Sequence, residues 1–155
     1  MTLYVVMGPP AAGKTTWVAA HAVTGDIVID YDRLLNALTA EGAFVRGMGR
    51  PLATVAYQAR EAAIREALRH TGTHEVFIIH TMPKPALLAK YKRYRAQLVT
   101  VDPGRDVVEE RCRAERPDSS MDGVRRWYAS HAVRGEAATA AGAVPARTAG
   151  ASRSW

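Results

Sequence analysis

Eight consecutive residues, Gly8-Pro9-Pro10-Ala11-Ala12-Gly13-Lys14-Thr15, place two glycines, a lysine and a hydroxyl at the spacing of a phosphate-binding loop. Gly8 and Gly13 let the backbone wrap tightly, so that successive N–H groups point inward at the β- and γ-phosphates of a nucleotide. A helix opening near Lys14 adds the positive end of its dipole. Lys14 brings a mobile positive charge to the β,γ-bridge, and the Thr15 hydroxyl is placed to ligate Mg²⁺. Thr16 can bond the α-phosphate side. A glycine turn with an accidental lysine is the competing reading. It is disfavoured because an apolar strand precedes the loop and a helix-forming stretch follows it.

A second group with chemical potential is Ile29-Asp30-Tyr31-Asp32-Arg33. The C-terminal ends of parallel strands open onto one shared crevice, so Asp30 and Asp32 are expected beside the phosphate loop. Phosphoryl transfer uses carboxylates there in two ways. One belongs to the Mg²⁺ shell, and the other orients and deprotonates an attacking hydroxyl. Asp32 is the candidate base and Asp30 the metal-side candidate. Asp30 also suits a helix N-cap, and the two roles are compatible.

The elements that must position these groups are legible from apolar runs and turn residues. Leu3–Met7, Ile27–Ile29, Val76–Ile79 and Gln97–Val101 read as strands. Helices are expected over 14–21, 31–40, 51–70, 83–91, 103–115 and 119–131. On the helix starting at Pro51, the apolar positions Leu52, Val55, Ala56, Ala59, Ala63 and Leu68 define the expected core face. Strands alternating with helices imply an α/β fold, a short parallel sheet with helices on both faces in three layers. A single domain over 1–134 is expected, followed by a flexible basic tail. Residues 135–155 hold eight alanines and three glycines, with Val144 and Trp155 the only large apolar groups, too little to bury.

The formal net charge of +6 favours polyanionic partners: nucleotides, nucleic acid or phosphorylated metabolites. Between Lys84 and Arg95 stand five cations (Lys84, Lys90, Lys92, Arg93, Arg95) and no acid, with Tyr91 and Tyr94 interleaved. The segment reads as a nucleic-acid track or as a solvated face. The lone Cys112 excludes an internal disulfide, and no secretory signal pattern opens the chain. Both fit a cytoplasmic location. No apolar run is long enough to cross a bilayer, so no membrane partner is expected.

Gly8 to Thr15 followed by Val28-Ile29-Asp30-Tyr31-Asp32 resembles the P-loop kinases of the shikimate, gluconate and polynucleotide kinase group. Asp30-Tyr31-Asp32 resembles the Asp-x-Asp of shikimate kinases. Asp32 also matches an acid that serves polynucleotide kinases as base on a 5′-hydroxyl. Gly8-Pro9-Pro10, and Thr81 followed by Pro83, are similar to polynucleotide kinase-like proteins of phages. The resemblance spans residues 1–130, although its strong motifs are confined to the positions just quoted.

The resemblance implies a sheet in the order 2-3-1-4, and ATP or another nucleoside triphosphate with Mg²⁺. It implies γ-phosphate transfer to a hydroxyl, with a polynucleotide or nucleotide-like acceptor. It places an arginine-bearing lid after the fourth strand, where Arg111, Arg113 and Arg116 precede Pro117. Arg113 and Arg116 are the catalytic candidates and Arg111 a nucleotide contact. The acids Asp106, Glu109, Glu110 and Glu115 in the same stretch equally suit a salt-bridged solvent face. Acceptor contacts are expected from Arg33, Arg46 and Arg50, with the glycine-bearing loop 42–50 able to close over a substrate.

Two other functions stay open: a small-metabolite kinase, and a nucleic-acid-binding module switched by nucleotide. The chain also departs from common P-loop patterns. The third strand ends in Ile79-His80-Thr81 rather than in the acids of the usual AAA ATPase or helicase, which removes that reading and leaves Asp30 as the main carboxylate near the metal. His80 is then either a substrate contact or a strand-end histidine held by its neighbours. No fifth strand follows the lid, so the adenine-side wall must come from the last helix and nearby loops.

Overall fold

The structure, a computed structural model, describes residues 1–40, 50–116 and 118–134. Arg46, most of the loop at 42–50 and the tail 135–155 lie outside the described residues. Four strands form one parallel sheet: β1 (Leu3–Met7), β2 (Ile27–Ile29), β3 (Val76–His80) and β4 (Gln97–Thr100), in the order β2-β3-β1-β4. The helices are α1 (Lys14–His21), α2 (Tyr31–Ala37), α3 (Arg50–Ala67), α4 (Pro85–Arg93), α5 (Arg105–Glu115) and α6 (Ser120–Arg134).

The two central strands are apolar at nearly every position because both of their faces are covered. The period-2 alternation sorts their side chains between two cores. Leu3 and Val5 of β1 join Val76 and Ile78 of β3 on one face, packed against Ile64, Leu68 and Tyr91. Tyr4 and Val6 join Phe77 and Ile79 on the other, against Val18 of α1 and Val99. Tyr4 and Phe77 stack across adjacent strands with ring centroids 4.7 Å apart. The edge strand β4 leaves Gln97 and Leu98 exposed.

Several expectations needed adjustment: α2 ends at Ala37 and α3 at Ala67, each three residues before the expected end, and α6 runs on to Arg134. Helix α4 starts two residues later than expected, because Lys84 precedes Pro85 and is held extended. Helix α5 starts at Arg105, after Asp102 Oδ1 accepts the Gly104 N–H at 3.0 Å and sets a turn. On α3 the face turned to the core carries Ala56, Arg60, Ile64 and Ala67, while Val55 is 53% exposed. An arginine thus occupies a core-facing position. No helix among the described residues is long and apolar enough to cross a membrane.

Candidate functional site

The phosphate loop joins β1 to α1 and is held from several sides. Val101 N–H bonds to Met7 O at 2.8 Å, and Gly8 N–H to Thr81 O at 3.4 Å, which ties the loop's root to the ends of β4 and β3. Gly13 adopts φ 93° and ψ 19° as the cap of α1, a conformation that glycine reaches without penalty. Ala11 also has positive φ, 61°, and is an alanine held in the left-handed region. What holds it is packing: Ala12 is buried with Val108 and Cys112 of α5 and Val124 of α6, and Ala11 packs against this group. A Cβ on Gly123 of α6 would come within 2.9 Å of Pro10. The last helix therefore lies directly on the loop.

Asp102 fastens that helix. It accepts from Trp127 Nε1 at 3.0 Å and from Tyr128 Oη at 2.7 Å. Burial, followed by this bond to a carboxylate, raises the Tyr128 phenol well above its ordinary range. No acidic or metal motif marks Asp102 in the sequence. Only its position at the end of a strand, ahead of Pro103 and Gly104, hints at a turn.

Around the loop opens a cleft of about 1120 Å³. Lys14 reaches back from α1 and donates to Gly8 O at 2.9 Å and Pro9 O at 2.6 Å. Burial and, next, the neighbouring Arg116 push its ammonium down to about 8, against the opposing pull of Asp32 and Asp30. The charged form is thus disfavoured in the free protein, and bound phosphates would restore it. Above pH of about 8, nucleotide binding then takes up a proton. The dissociation constant is expected to rise by up to about tenfold per pH unit above that point. Calorimetry at rising pH measures this slope, and Lys14→Arg, which stays charged, is expected to flatten it.

The two carboxylates differ in environment. Asp30 is 5% exposed and has both oxygens engaged: Oδ1 accepts the Asp32 N–H at 3.0 Å as the cap of α2, and Oδ2 accepts the Thr15 hydroxyl at 2.9 Å. Asp32 is half-exposed and accepts from Arg116 Nη1 at 2.6 Å. Arg116 lies 84 residues away in sequence. The pair joins the end of β2 to the end of α5, and the bond holds the Arg116 guanidinium firmly protonated.

No point among the described residues gathers three His, Cys, Asp or Glu side chains. The Thr15 hydroxyl and the Asp30 carboxylate nevertheless fit Mg²⁺, which usually takes one or two protein oxygens and completes its shell with phosphates and water. Both would hold the ion once their mutual hydrogen bond opens.

The cleft brings together Pro10 to Thr16, Asp30, Asp32, Arg111 and Arg116. Arg111 Nη1 lies 4.0 Å from where a Gly13 Cβ would stand, so its guanidinium sits over the loop. Gly8 and Pro9 are buried beneath it. Arg113 is not among the lining residues. It faces solvent and pairs with Glu109 at 2.7 Å, as does Arg105 on the same carboxylate at 2.7 Å. Part of the lid segment is therefore the salt-bridged face that its acids suggested. Arg33 and Arg50 are exposed and do not line the cleft.

The cleft wall also holds Arg60, which nothing in its type or spacing had marked. It donates from Nη2 to Ile79 O at 2.7 Å and to His80 Nδ1 at 3.0 Å. His80 is buried and bonds through Nε2 to Tyr91 Oη at 2.8 Å. Arg60 Nη2 also stands 3.4 Å from His80 Nε2, and because arginine only donates, the imidazole meets it as an acceptor. Burial, reinforced by the Arg60 charge, pushes His80 down to about 3, and it stays neutral. This is the strand-end histidine held by its neighbours.

No curated protein matches the chain. A family profile described as AAA domain matches residues 3–126, which takes in the phosphate loop, the whole sheet, both carboxylates and α5. The name does not restore an acid at the end of β3, where His80 stands. What the chain shares is the nucleotide-binding core that such a domain suggests, and on that match it belongs to the AAA domain family, a P-loop NTPase-like family.

Proposed function

We propose that this protein is an ATP- and Mg²⁺-dependent phosphotransferase that moves the γ-phosphate to a hydroxyl, with a polynucleotide or nucleotide-like acceptor. The contrast between the two carboxylates carries the reading. Asp30 has its oxygens committed to Thr15 and to the backbone, whereas Asp32 stands at the cleft with one arginine partner. An acid so placed is free to meet a substrate hydroxyl.

In the proposed reaction the phosphates displace the backbone carbonyls as partners of Lys14, and Arg116 turns from Asp32 toward the γ-phosphoryl oxygens. Asp32 then accepts the acceptor hydroxyl's proton as the oxygen attacks phosphorus. The bond from γ-phosphorus to the bridging oxygen breaks, and ADP leaves. Lys14 and Arg116 offset the charge on the transferring group and the leaving oxygen. When bound, Mg²⁺ adds positive charge to the phosphate oxygens. Arg111 covers the loop, and Arg113 is left with a surface role. The preference for a polyanionic acceptor is supported by Lys84, Lys90, Lys92, Arg93 and Arg95, all of them exposed.

The test is transfer of γ-labelled ATP with Mg²⁺ to 5′-hydroxyl DNA and RNA, nucleosides, nucleoside monophosphates and small polyols. Label should enter one acceptor class and disappear in Lys14→Ala and Asp32→Asn. ATP binding with no labelled acceptor would overturn the proposal and favour a nucleotide-switched binding module.

A further inference from the structure

Arg60 poses a problem of electrostatics. Its side chain is 9% exposed; among the described residues its Nε has no hydrogen-bond partner, and its one ion pair is with Glu61, 3.6 Å from Nη1. Glu61 is itself 38% exposed, so it offers a loose and partly hydrated counter-charge. A buried guanidinium ordinarily needs close anionic partners and satisfied donors to offset its desolvation. Here the partners are neutral: the Ile79 carbonyl and a neutral imidazole.

The sheet order says where this charge sits. Strand β3 lies between β2, which ends just before Asp30, and β1, which runs into the phosphate loop. Adjacent strands stand about 4.8 Å apart. A hydroxyl between Asp32 and a phosphate on the loop therefore belongs to a molecule lying over the end of β3. Arg60, His80 and Thr81 line the cleft there, with Tyr57 and Met82 at its rim.

Resting on the phosphotransferase reading, we infer that Arg60 is the anchor for an oxyanion on the acceptor, and that His80 and Tyr91 are positioning residues that aim it. The acceptor then carries a phosphate monoester or a carboxylate besides its reacting hydroxyl, which supplies the counter-charge Arg60 lacks. The relay is built from three elements: Arg60 on α3, His80 on β3 and Tyr91 on α4. It fixes one edge of the guanidinium through Nη2 and leaves Nη1 for the ligand, with only the loosely placed Glu61 to displace.

Matched acceptors test this: adenosine 3′-monophosphate against adenosine, and glycerate against glycerol. Binding to protein saturated with a non-hydrolysable ATP analogue is measured by calorimetry, and transfer from ATP is measured in parallel. The charged member of one pair is expected to bind at least about tenfold more tightly than its neutral mate. The pair that discriminates tells phosphate from carboxylate. Arg60→Gln should erase that difference while leaving analogue affinity unchanged.

His80→Gln keeps an acceptor for Arg60 and should retain most of the discrimination. His80→Leu and Tyr91→Phe should raise KM for the charged acceptor more than they lower kcat. Analogue affinity serves as the check that each variant is folded, and Arg60→Lys tests the site again without removing charge. Equal binding within both pairs, or discrimination that survives Arg60→Gln, would overturn the inference. Discrimination in binding with no transfer would keep the anion site and remove the phosphotransferase reading.

Discussion

Asp32→Asn is expected to lower the rate of phosphoryl transfer about 10²–10⁴-fold while changing nucleotide affinity by no more than about threefold. Asparagine keeps an oxygen that can accept from Arg116 but cannot take up a proton. The substitution therefore leaves the contact at 2.6 Å available and removes the base. Nucleotide affinity should hold because the loop's N–H groups, Lys14 and Thr15 remain in place. Single-turnover transfer and equilibrium binding on the same preparation separate the two effects.

Arg116→Ala in both backgrounds sharpens the test. If Arg116 acts only by orienting Asp32, the second substitution adds little once Asp32 is gone. If it also neutralises the transferring group, a further loss remains in the Asp32→Asn background. An Asp32→Asn protein that transfers at the original rate would remove Asp32 as base.

Gly8→Ala is expected to destabilise the protein by about 2–3 kcal/mol and to weaken nucleotide binding sharply. A Cβ at this position would overlap the Val101 carbonyl oxygen, and the Val101 carbonyl carbon lies only 3.2 Å away. The obstacle is backbone and cannot swing aside. Val101 N–H is bonded to Met7 O, so that segment is paired to β1 just before the loop. Relief must come from moving the loop's root, which shifts every N–H meant for phosphate. Gly72→Ala is the control, since nothing lies within 4 Å of its would-be Cβ. Thermal denaturation with and without nucleotide reads both effects. Wild-type behaviour in Gly8→Ala would mean that the loop is looser than its packing under α5 and α6 implies.

The parts legible in the sequence were those whose signal lies within a few neighbouring residues. The phosphate loop is one continuous run after an apolar strand, and Asp30 and Asp32 follow another. For β1 and β3, burial on both faces demands the unbroken apolar runs that reveal them. Strand alternation with helices is likewise local, so the α/β class followed from it. The order 2-3-1-4 rested on resemblance, because pairing joins residues such as Leu3 and Val76 that no window contains.

Tertiary structure decided which charges face the site. Arg111, Arg113 and Arg116 look equivalent in a list, yet α5 turns about 100° per residue and sends them to different places. Val108 and Cys112 face the core, Arg111 and Glu115 flank them on the cleft side, and Arg105, Glu109 and Arg113 form a ladder on the solvent side. Arg116 caps the helix in an extended conformation, φ −125° and ψ 156°, so it leaves the helical projection and meets Asp32. Arg60 was hidden because an arginine at a core-facing position is intelligible only beside His80 and Tyr91, which arrive from other elements. Chemistry that one segment carries could be read along the chain. Chemistry that depends on two distant charges meeting needed the fold, since helix rotation and strand order bring them together.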